Sequence, residues 1–142
     1  MIELITVLVV LALLIVIVGP RLSTIITQTR VNRAASAIQN DVEAAFAIAS
    51  RNRQPIRIQW NSGAMELGVT NRAGTTTYRR TLLAHSEYQL KSSQVTVSDT
   101  PLVIFPNGLA SDTLHVKISV EIGSSTFIKR VRVSRAGLVQ IL

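Results

Sequence analysis

The chain opens with an apolar run that would cover every face of a helix. Residues 2–18 read IELITVLVVLALLIVIV, seventeen residues in which Glu3 is the single charge. A helix of this length rises roughly 25 Å, close to the thickness of a bilayer core. A buried helix of a soluble protein is rarely apolar all round, and a cleavable signal would be followed by small residues rather than Gly-Pro-Arg-Leu. The run therefore predicts a membrane anchor.

Beyond Gly19 and Pro20 the apolar positions take up amphipathic helix spacing. Steps of three and four separate the apolar and small residues Val31, Ala35, Ile38, Val42, Ala45 and Ala49. The opposite face is polar, so this stretch is expected to lie on a core with its other side open to water or neighbours. Proline clashes with the preceding turn, and we expect a helix kink at Gly19 and Pro20 rather than a helix end.

The helix is predicted to end near Asn52, because Pro55 disfavours helical geometry at the residue before it. Three parts follow from this pattern. Residues 1–20 form the transmembrane half of the helix, residues 21–54 the amphipathic half that packs on a head, and residues 55–142 the head itself. Such a helix of about fifty residues would be roughly 75 Å long.

From Ile56 onward the period drops to two, which is typical of strands. Ile56–Trp60 alternates, and Asn61-Ser62-Gly63 predicts a turn. The other predicted strands are Ala64–Thr70, Thr76–Leu83, Glu87–Leu90, Gln94–Val97, Leu102–Phe105, Leu114–Glu121, Ser125–Val133 and Gly137–Ile141. Gly123-Ser124 and Arg135-Ala136-Gly137 are predicted turns. A long helix followed by antiparallel strands predicts an α+β fold with the helix laid across a β-sheet head.

The positive charge of the chain lies in the predicted head. The net charge is +7, and residues 51–142 hold twelve basic groups against five acidic ones, while residues 1–50 hold three of each. Such a surface attracts nucleic acid, anionic lipid or an acidic protein, and it also keeps a protein soluble. The chain has no cysteine, which excludes disulfides, thiolate nucleophiles and cysteine-ligated metal sites.

Glu3 is the residue that least suits its surroundings. A carboxylate costs about 2.5–3.5 kcal/mol at the centre of a membrane helix and less near its ends, so an intramembrane acid is a functional candidate. The alternative is that Glu3 lies at the headgroup level and merely ends the segment.

The start of the chain resembles a known family. Met1-Ile2-Glu3-Leu4 and the apolar residues after it are similar to the beginning of mature type IV pilins and type II secretion pseudopilins, whose hallmark is Phe-Thr-Leu-Ile-Glu-Leu before an apolar helix. The resemblance implies a pilin-like fold. It also implies that Glu3 guides assembly by pairing with the free N-terminal amine of a neighbouring subunit.

Members of this family begin with a short basic leader that ends in glycine. A prepilin peptidase removes the leader and methylates the new N-terminus. Met1 stands where the family's leucine would be. We expect the true start codon and the leader to lie upstream of Met1, with a fragment as the alternative, and prepilin peptidase would then be a partner.

Passages in the head resemble the GspH/FimT type of minor pseudopilin. Phe46–Ile58 is similar to that family's passage from helix to first strand. Phe105-Pro106-Asn107-Gly108 resembles its Phe-x-Pro-x-Gly turn, one residue shorter, and Val131–Val139 resembles its closing hairpin. Major pilins usually close a disulfide loop, and major pseudopilins carry an acidic calcium loop. Neither pattern occurs here, because cysteine is missing and only Asp112 and Glu121 are acidic after residue 110.

The resemblance implies a minor pseudopilin, a structural subunit of the type II secretion pseudopilus that supports the export of folded proteins. Its partners would be other pseudopilins or pilins in a helical fibre. It would cross the inner membrane once, with its head in the periplasm or outside. No cofactor and no small-molecule substrate are expected.

The alternative function is that of a FimT-like minor type IV pilin, which takes up DNA through a basic hairpin. The candidate contacts with DNA or a partner are Lys129, Arg130, Arg132 and Arg135. Alternation places Arg130 and Arg132 on one strand face, Lys129 on the other and Arg135 in the following turn. The family's Gly-Arg-x-Arg tail is not reproduced, since Leu138 follows Gly137.

Nothing in the sequence predicts an enzyme. His85 and His115 are thirty residues apart, without cysteine or a close pair of carboxylates to form a metal or nucleophile site. Glycine-rich phosphate-binding motifs are absent as well. Trp60 and Phe105 lie among apolar residues on predicted strands and are interpreted as core residues.

Overall fold

A computed structural model of the chain describes residues 2–122 and 125–142. In the described residues one long helix precedes eight strands, and a short 3-10 helix (Ser92–Gln94) precedes the fourth strand. The helix α1 spans Ile2–Asn52. The strands are β1 (Ile56–Asn61), β2 (Glu66–Asn71), β3 (Thr77–Leu82), β4 (Val95–Ser98), β5 (Leu102–Ile104), β6 (Leu114–Ile122), β7 (Ser125–Val133) and β8 (Val139–Ile141).

The helix α1 continues through Gly19 and Pro20 without a break in its helical backbone. The kink predicted at these two residues stays a prediction. The helix ends at Asn52, as the sequence indicates, because Arg53 adopts a φ of 52°. A residue in the left-handed region commonly ends a helix. Arg51 in the last turn places a positive charge beside the negative end of the helix dipole.

The strands form two antiparallel sheets rather than a single one. The first sheet has the order β3-β2-β1-β5 and the second the order β4-β6-β7-β8. In the second sheet β6 and β7 pair along their whole length, from Leu114 opposite Val133 to Ile122 opposite Ser125. The turn predicted at Gly123-Ser124 lies outside the described residues.

The C-terminal half of α1 packs against strands of both sheets and forms the core with them. The side chains on its packed face are at most 1% exposed: Val31, Ala34, Ala35, Ile38, Val42, Ala45 and Ala49. This face contains every position of the predicted apolar stripe. Four of its seven residues are alanine, which lets the helix approach the strands closely.

The strand predicted at Glu87–Leu90 is wrong, because this segment forms turns. The carbonyl oxygen of His85 accepts hydrogen bonds from the backbone N–H groups of Tyr88 and Gln89, at 3.0 and 2.8 Å. The apolar residues there belong to a loop that closes over the core, in which Leu90 is buried. Alternation over four residues cannot distinguish such a loop from a strand.

Trp60 is half-buried and packs against the core, as expected for a core residue. Phe105 is exposed instead, so its interpretation as a core residue is wrong. It lies one residue beyond β5, where its backbone N–H donates to the carbonyl oxygen of Leu109 at 2.8 Å. That short turn directs the side chain away from the core.

Candidate assembly and binding surfaces

The N-terminal half of α1 presents apolar side chains that no part of the head covers. All described side chains of residues 3–16 are exposed. The helix is long and apolar enough to cross a membrane, and the mean hydropathy of its membrane-length segment is 2.7. Exposed apolar surface of this extent is unfavourable in water and requires lipid or other subunits around it.

Glu3 lies in the first turn of this helix and is exposed. A carboxylate in the first turn is stabilised by the positive end of the helix dipole. The position leaves Glu3 accessible to a second molecule at the end of the apolar surface. Its pairing with a neighbouring subunit stays a prediction.

The exposed apolar surface extends past the membrane half toward the head. Leu22, Ile25 and Ile26 are exposed although they follow the kink position. Where α1 meets the head, an open groove of about 430 Å³ lies between the helix and the loop after β3. Its lining combines apolar, hydroxyl and charged side chains: Ile25, Ile26, Thr29, Arg30, Arg33, Ser86 and Glu87.

A buried carboxylate joins α1 to the edge of the first sheet. Asp41 is only 4% exposed. Its Oδ1 lies 3.0 Å from Nε of Arg79, and its Oδ2 accepts a hydrogen bond from the hydroxyl of Thr81. Burial raises the pKa of the nearby Tyr88 phenol, and the negative charges of Glu87 and Asp41 raise it further. Because it contacts both Arg79 and Thr81, Asp41 fixes β3 against the helix.

The outer face of the second sheet carries a cluster of basic side chains. Lys117 on β6 lies directly opposite Arg130 on β7, and His115 lies opposite Arg132. All four side chains are exposed, while their strand neighbours Leu114, Val116, Val131 and Val133 are buried. We call His115, Lys117, Arg130 and Arg132 the basic sheet face.

Like charges placed directly opposite each other destabilise a pair of strands. On the basic sheet face Lys117 and Arg130 are such a pair, and Arg132 adds a third positive charge beside them. An anionic group bound across the two strands would relieve this repulsion. The basic sheet face is therefore a candidate site for an anionic partner.

The structure divides the four basic residues predicted for the hairpin. Arg130 and Arg132 share the outer face, as alternation indicated. Lys129 is half-buried on the other face, in line with Val131.

Arg135 is in the turn after β7, with its Nη2 3.1 Å from Oδ1 of Asp112. The backbone N–H of Thr113 and the guanidinium of Arg135 lower the pKa of Asp112. Arg135 thus has an anionic partner within the chain.

Sequence reasoning missed the contribution of β6 to this surface. His115 and Lys117 were not predicted as site residues, yet they supply half of the basic sheet face. The signal was present, because β6 and β7 were both predicted and a tight connection between them fixes the register. Pairing the two strands through that connection would have placed Lys117 opposite Arg130.

Strand β7 places no aromatic side chain beside the arginines of the basic sheet face, and the described residues contain no metal-binding group. Phe127, the aromatic residue of β7, is half-buried and packs against the core rather than beside the arginines. Within residues 2–122 and 125–142 no group of three His, Asp or Glu side chains could hold a metal ion. His85 lies in the loop after β3 and His115 on β6.

Neither a known family model nor a curated protein sequence matches the chain. A solved structure does match it: the crystal structure of the type IV minor pilin FimU from Pseudomonas aeruginosa, strain PAO1. The TM-score is 0.61 at 17% sequence identity, and the match covers 81% of this chain and 90% of that one.

At this level of identity the match concerns architecture. The protein has a type IV pilin-like fold, and in the part of the chain that the structure describes one helix is long and apolar enough to cross a membrane.

Proposed function

We propose that the protein is a membrane-anchored structural subunit of a pilin-like fibre. The observation that carries this proposal is the division of α1 into two halves. Apart from Glu3 and Thr6, residues 3–16 are apolar, and all of them are exposed, while one face of the half from Val31 onward is buried in the core of the head. A helix of this kind is stored in lipid and then packs against other helices when the subunit enters a fibre. The solved structure that it resembles is a minor pilin.

The finer proposal is a minor pseudopilin of the type II secretion pseudopilus, which supports the export of folded proteins. Three features of the sequence support it: the motif around Glu3, the passages similar to the GspH/FimT type, and the missing cysteine pair of major pilins. Other pseudopilins, the inner membrane and prepilin peptidase would be its partners. Deletion of the gene should then reduce the secretion of folded proteins and leave DNA uptake unchanged.

Glu3→Ala tests the role in assembly. The full-length protein, with a tag after Leu142, would be produced in its host, and fibres would be sheared from the cells and probed for the tag. We expect the unchanged protein in the fibre fraction and Glu3→Ala mostly in the membrane fraction. Glu43→Ala is the matched control, because Glu43 is an exposed carboxylate on the half of α1 that packs on the head. Equal incorporation of all three proteins would contradict the proposed role of Glu3.

DNA binding is the second candidate function, and the basic sheet face is the observation that favours it. Arg130, Arg132 and Lys117 lie side by side on two paired strands, a spacing that suits neighbouring phosphates. Each phosphate contact adds about 0.9 to the slope of log K against log salt concentration. This function would make the protein a FimT-like minor pilin.

Titration of the full-length protein in nonionic detergent with a short DNA duplex tests this candidate. Binding should weaken steeply with salt, and Arg130→Ala/Arg132→Ala should flatten the slope by about 2. Arg51→Ala/Arg72→Ala removes the same charge from exposed positions outside the basic sheet face and should change the slope little. If no binding occurs at low salt, the secretion pseudopilin is the better account.

A further inference from the structure

The outermost strands of the two sheets differ in how their free edges are protected. The edge of β5 is covered by the segment that follows it. Ser111 donates its backbone N–H to the carbonyl oxygen of Val103 at 2.7 Å, and Ala110 forms an antiparallel β-bridge with Ile104. The edge strand β3 carries the exposed Arg79 and Arg80. Charged residues on an edge strand discourage other strands from pairing with it.

The two edge strands of the second sheet are also unequal. In β4 the residues Thr96 and Ser98 make the exposed face polar, and the strand stops before Asp99, whose φ is 62°. The strand β8 and its neighbours Leu138 and Leu142 contain neither a charged residue nor a proline. This edge therefore lacks the charged residues and the proline that commonly prevent another strand from pairing with an edge strand.

The backbone of β8 has hydrogen-bonding groups available at its free edge. Leu142 and Arg130 exchange two backbone hydrogen bonds, at 2.8 and 2.9 Å, so the N–H and C=O of Leu142 point toward β7. In an antiparallel pair these directions alternate along the strand. The N–H and C=O groups of Val139 and Ile141 therefore point away from β7. In the described part of the chain no strand pairs with that side of β8.

The side chains around this edge are apolar and basic. Leu138 is 57% exposed and Leu142 is 62% exposed, and both lie on the outer face. The next strand inward presents Arg130 and Arg132 on that same face. On the inner face Val139 and Ile141 pack against the core. An added strand would therefore meet positive charge on one face and apolar surface on the other.

We propose that the free edge of β8 binds an extended segment of a second protein in which acidic and apolar residues alternate. The segment would pair with the backbone of Val139 and Ile141 and extend the second sheet to five strands. Arg130 and Arg132 would lie about 10 Å from its backbone, two strand spacings away, which an arginine and a glutamate side chain span together. This inference goes beyond assembly of the fibre and does not depend on it.

A synthetic peptide tests the proposal on the full-length protein in nonionic detergent. The probe is a peptide of about eight residues with blocked ends, alternating glutamate and valine. We expect saturable binding that weakens with added salt, together with slower hydrogen exchange at the amides of Val139 and Ile141. The amide of Gln140, which already faces β7, should change little. A peptide that alternates lysine and valine is the matched control and should bind at least about tenfold more weakly.

Two substitutions separate the backbone contribution from the charge contribution. Val139→Pro removes an N–H that faces the free edge and leaves the ladder to β7 intact, and it should weaken peptide binding by about tenfold or more. Ile141→Pro repeats the test at the other outward-facing residue. Arg130→Gln/Arg132→Gln should weaken binding about five- to tenfold at low salt and remove most of its salt dependence. Arg51→Gln/Arg72→Gln removes equal charge elsewhere and should bind as the unchanged protein does.

The outcomes that overturn the proposal are specific. Equal binding of the glutamate and lysine peptides would contradict charge recognition. Binding without slower exchange at Val139 and Ile141, or unchanged binding in both proline variants, would show that the peptide does not add to β8. Binding of duplex DNA but not of the glutamate peptide would assign the two arginines to nucleic acid instead. None of these measurements requires a fibre, so they do not test the proposed assembly function.

Discussion

The two halves of α1 are both rich in apolar residues, but they meet different surroundings. Residues 3–16 consist mainly of leucine, isoleucine and valine, include one alanine and are exposed throughout. Residues 31–49 contain seven alanines, and one face of this half is buried against both sheets. Large side chains on all faces suit lipid tails, whereas small residues on one face let a helix approach a sheet. Apolar content alone does not distinguish these roles; the size and placement of the side chains do.

The largest difference in the free energy of unfolding is expected when one large apolar residue in each half of α1 is replaced by alanine. Ile38→Ala should lower the free energy of unfolding of the head by about 2–5 kcal/mol, because it leaves a cavity in a packed core. Leu8→Ala should change it by less than about 0.5 kcal/mol, because Leu8 is exposed. Urea unfolding in detergent, followed by the fluorescence of Trp60, measures both. Similar losses in the two variants would show that the anchor contributes to the stability of the head.

The next effect concerns the buried carboxylate that joins the helix to β3. Asp41→Ala should cost about 1–3 kcal/mol, because Thr81 and Arg79 lose the group that they contact. Arg79 is half exposed and regains water, which keeps the loss moderate. Arg80→Ala is the comparison, because its ion pair with Glu66 lies on the outer face of the first sheet. Equal losses in the two variants would contradict a special role for Asp41.

An effect of similar size is expected where the turn before β8 touches α1. Gly137 has a φ of 80°, and a Cβ there would lie 3.0 Å from the carbonyl oxygen of Gly108 and 3.2 Å from the Phe46 ring. Gly137→Ala should therefore cost about 2 kcal/mol from backbone strain and crowding together. Gly74 has a similar φ of 76° but open space around it, so Gly74→Ala should cost only about 1 kcal/mol. Thermal unfolding of the two variants isolates the contribution of the helix contact.

The smallest effect is expected at a contact that does not involve α1. The pKa of Asp112 is lower in the folded protein than in the unfolded chain. The ionised carboxylate therefore stabilises the fold at pH values above the pKa that Asp112 has in the unfolded chain. That stability is lost as the pH falls through the lower, folded value. Asp112→Asn should therefore lower the stability slightly at neutral pH, and the difference from the unchanged protein should disappear as the pH falls below about 4. If the stability of Asp112→Asn depended more strongly on pH than that of the unchanged protein, this would contradict a stabilising role for the Asp112 carboxylate.

Much of the fold could be predicted from the sequence because long periodic segments carry strong signals. The helix bounds, the buried stripe from Val31 to Ala49 and most of the strands agree with the pattern. The exception, Glu87–Leu90, is a short segment whose apolar residues serve loop packing. The site was only partly predictable. Alternation separates Arg130 and Arg132 from Lys129, but the ion pair of Arg135 with Asp112 joins residues 23 positions apart.

The sequence by itself determined the membrane-length apolar half of α1, its amphipathic half and the β-rich head, because hydrophobic periodicity is a local property of the chain. Only the tertiary structure decided that the strands divide into two sheets and that Arg79 of β3 meets Asp41 of α1. It also decided that β8 ends its sheet with an uncharged edge. These features depend on which strands pair, and pairing is set by contacts between residues distant in sequence, which no local pattern encodes.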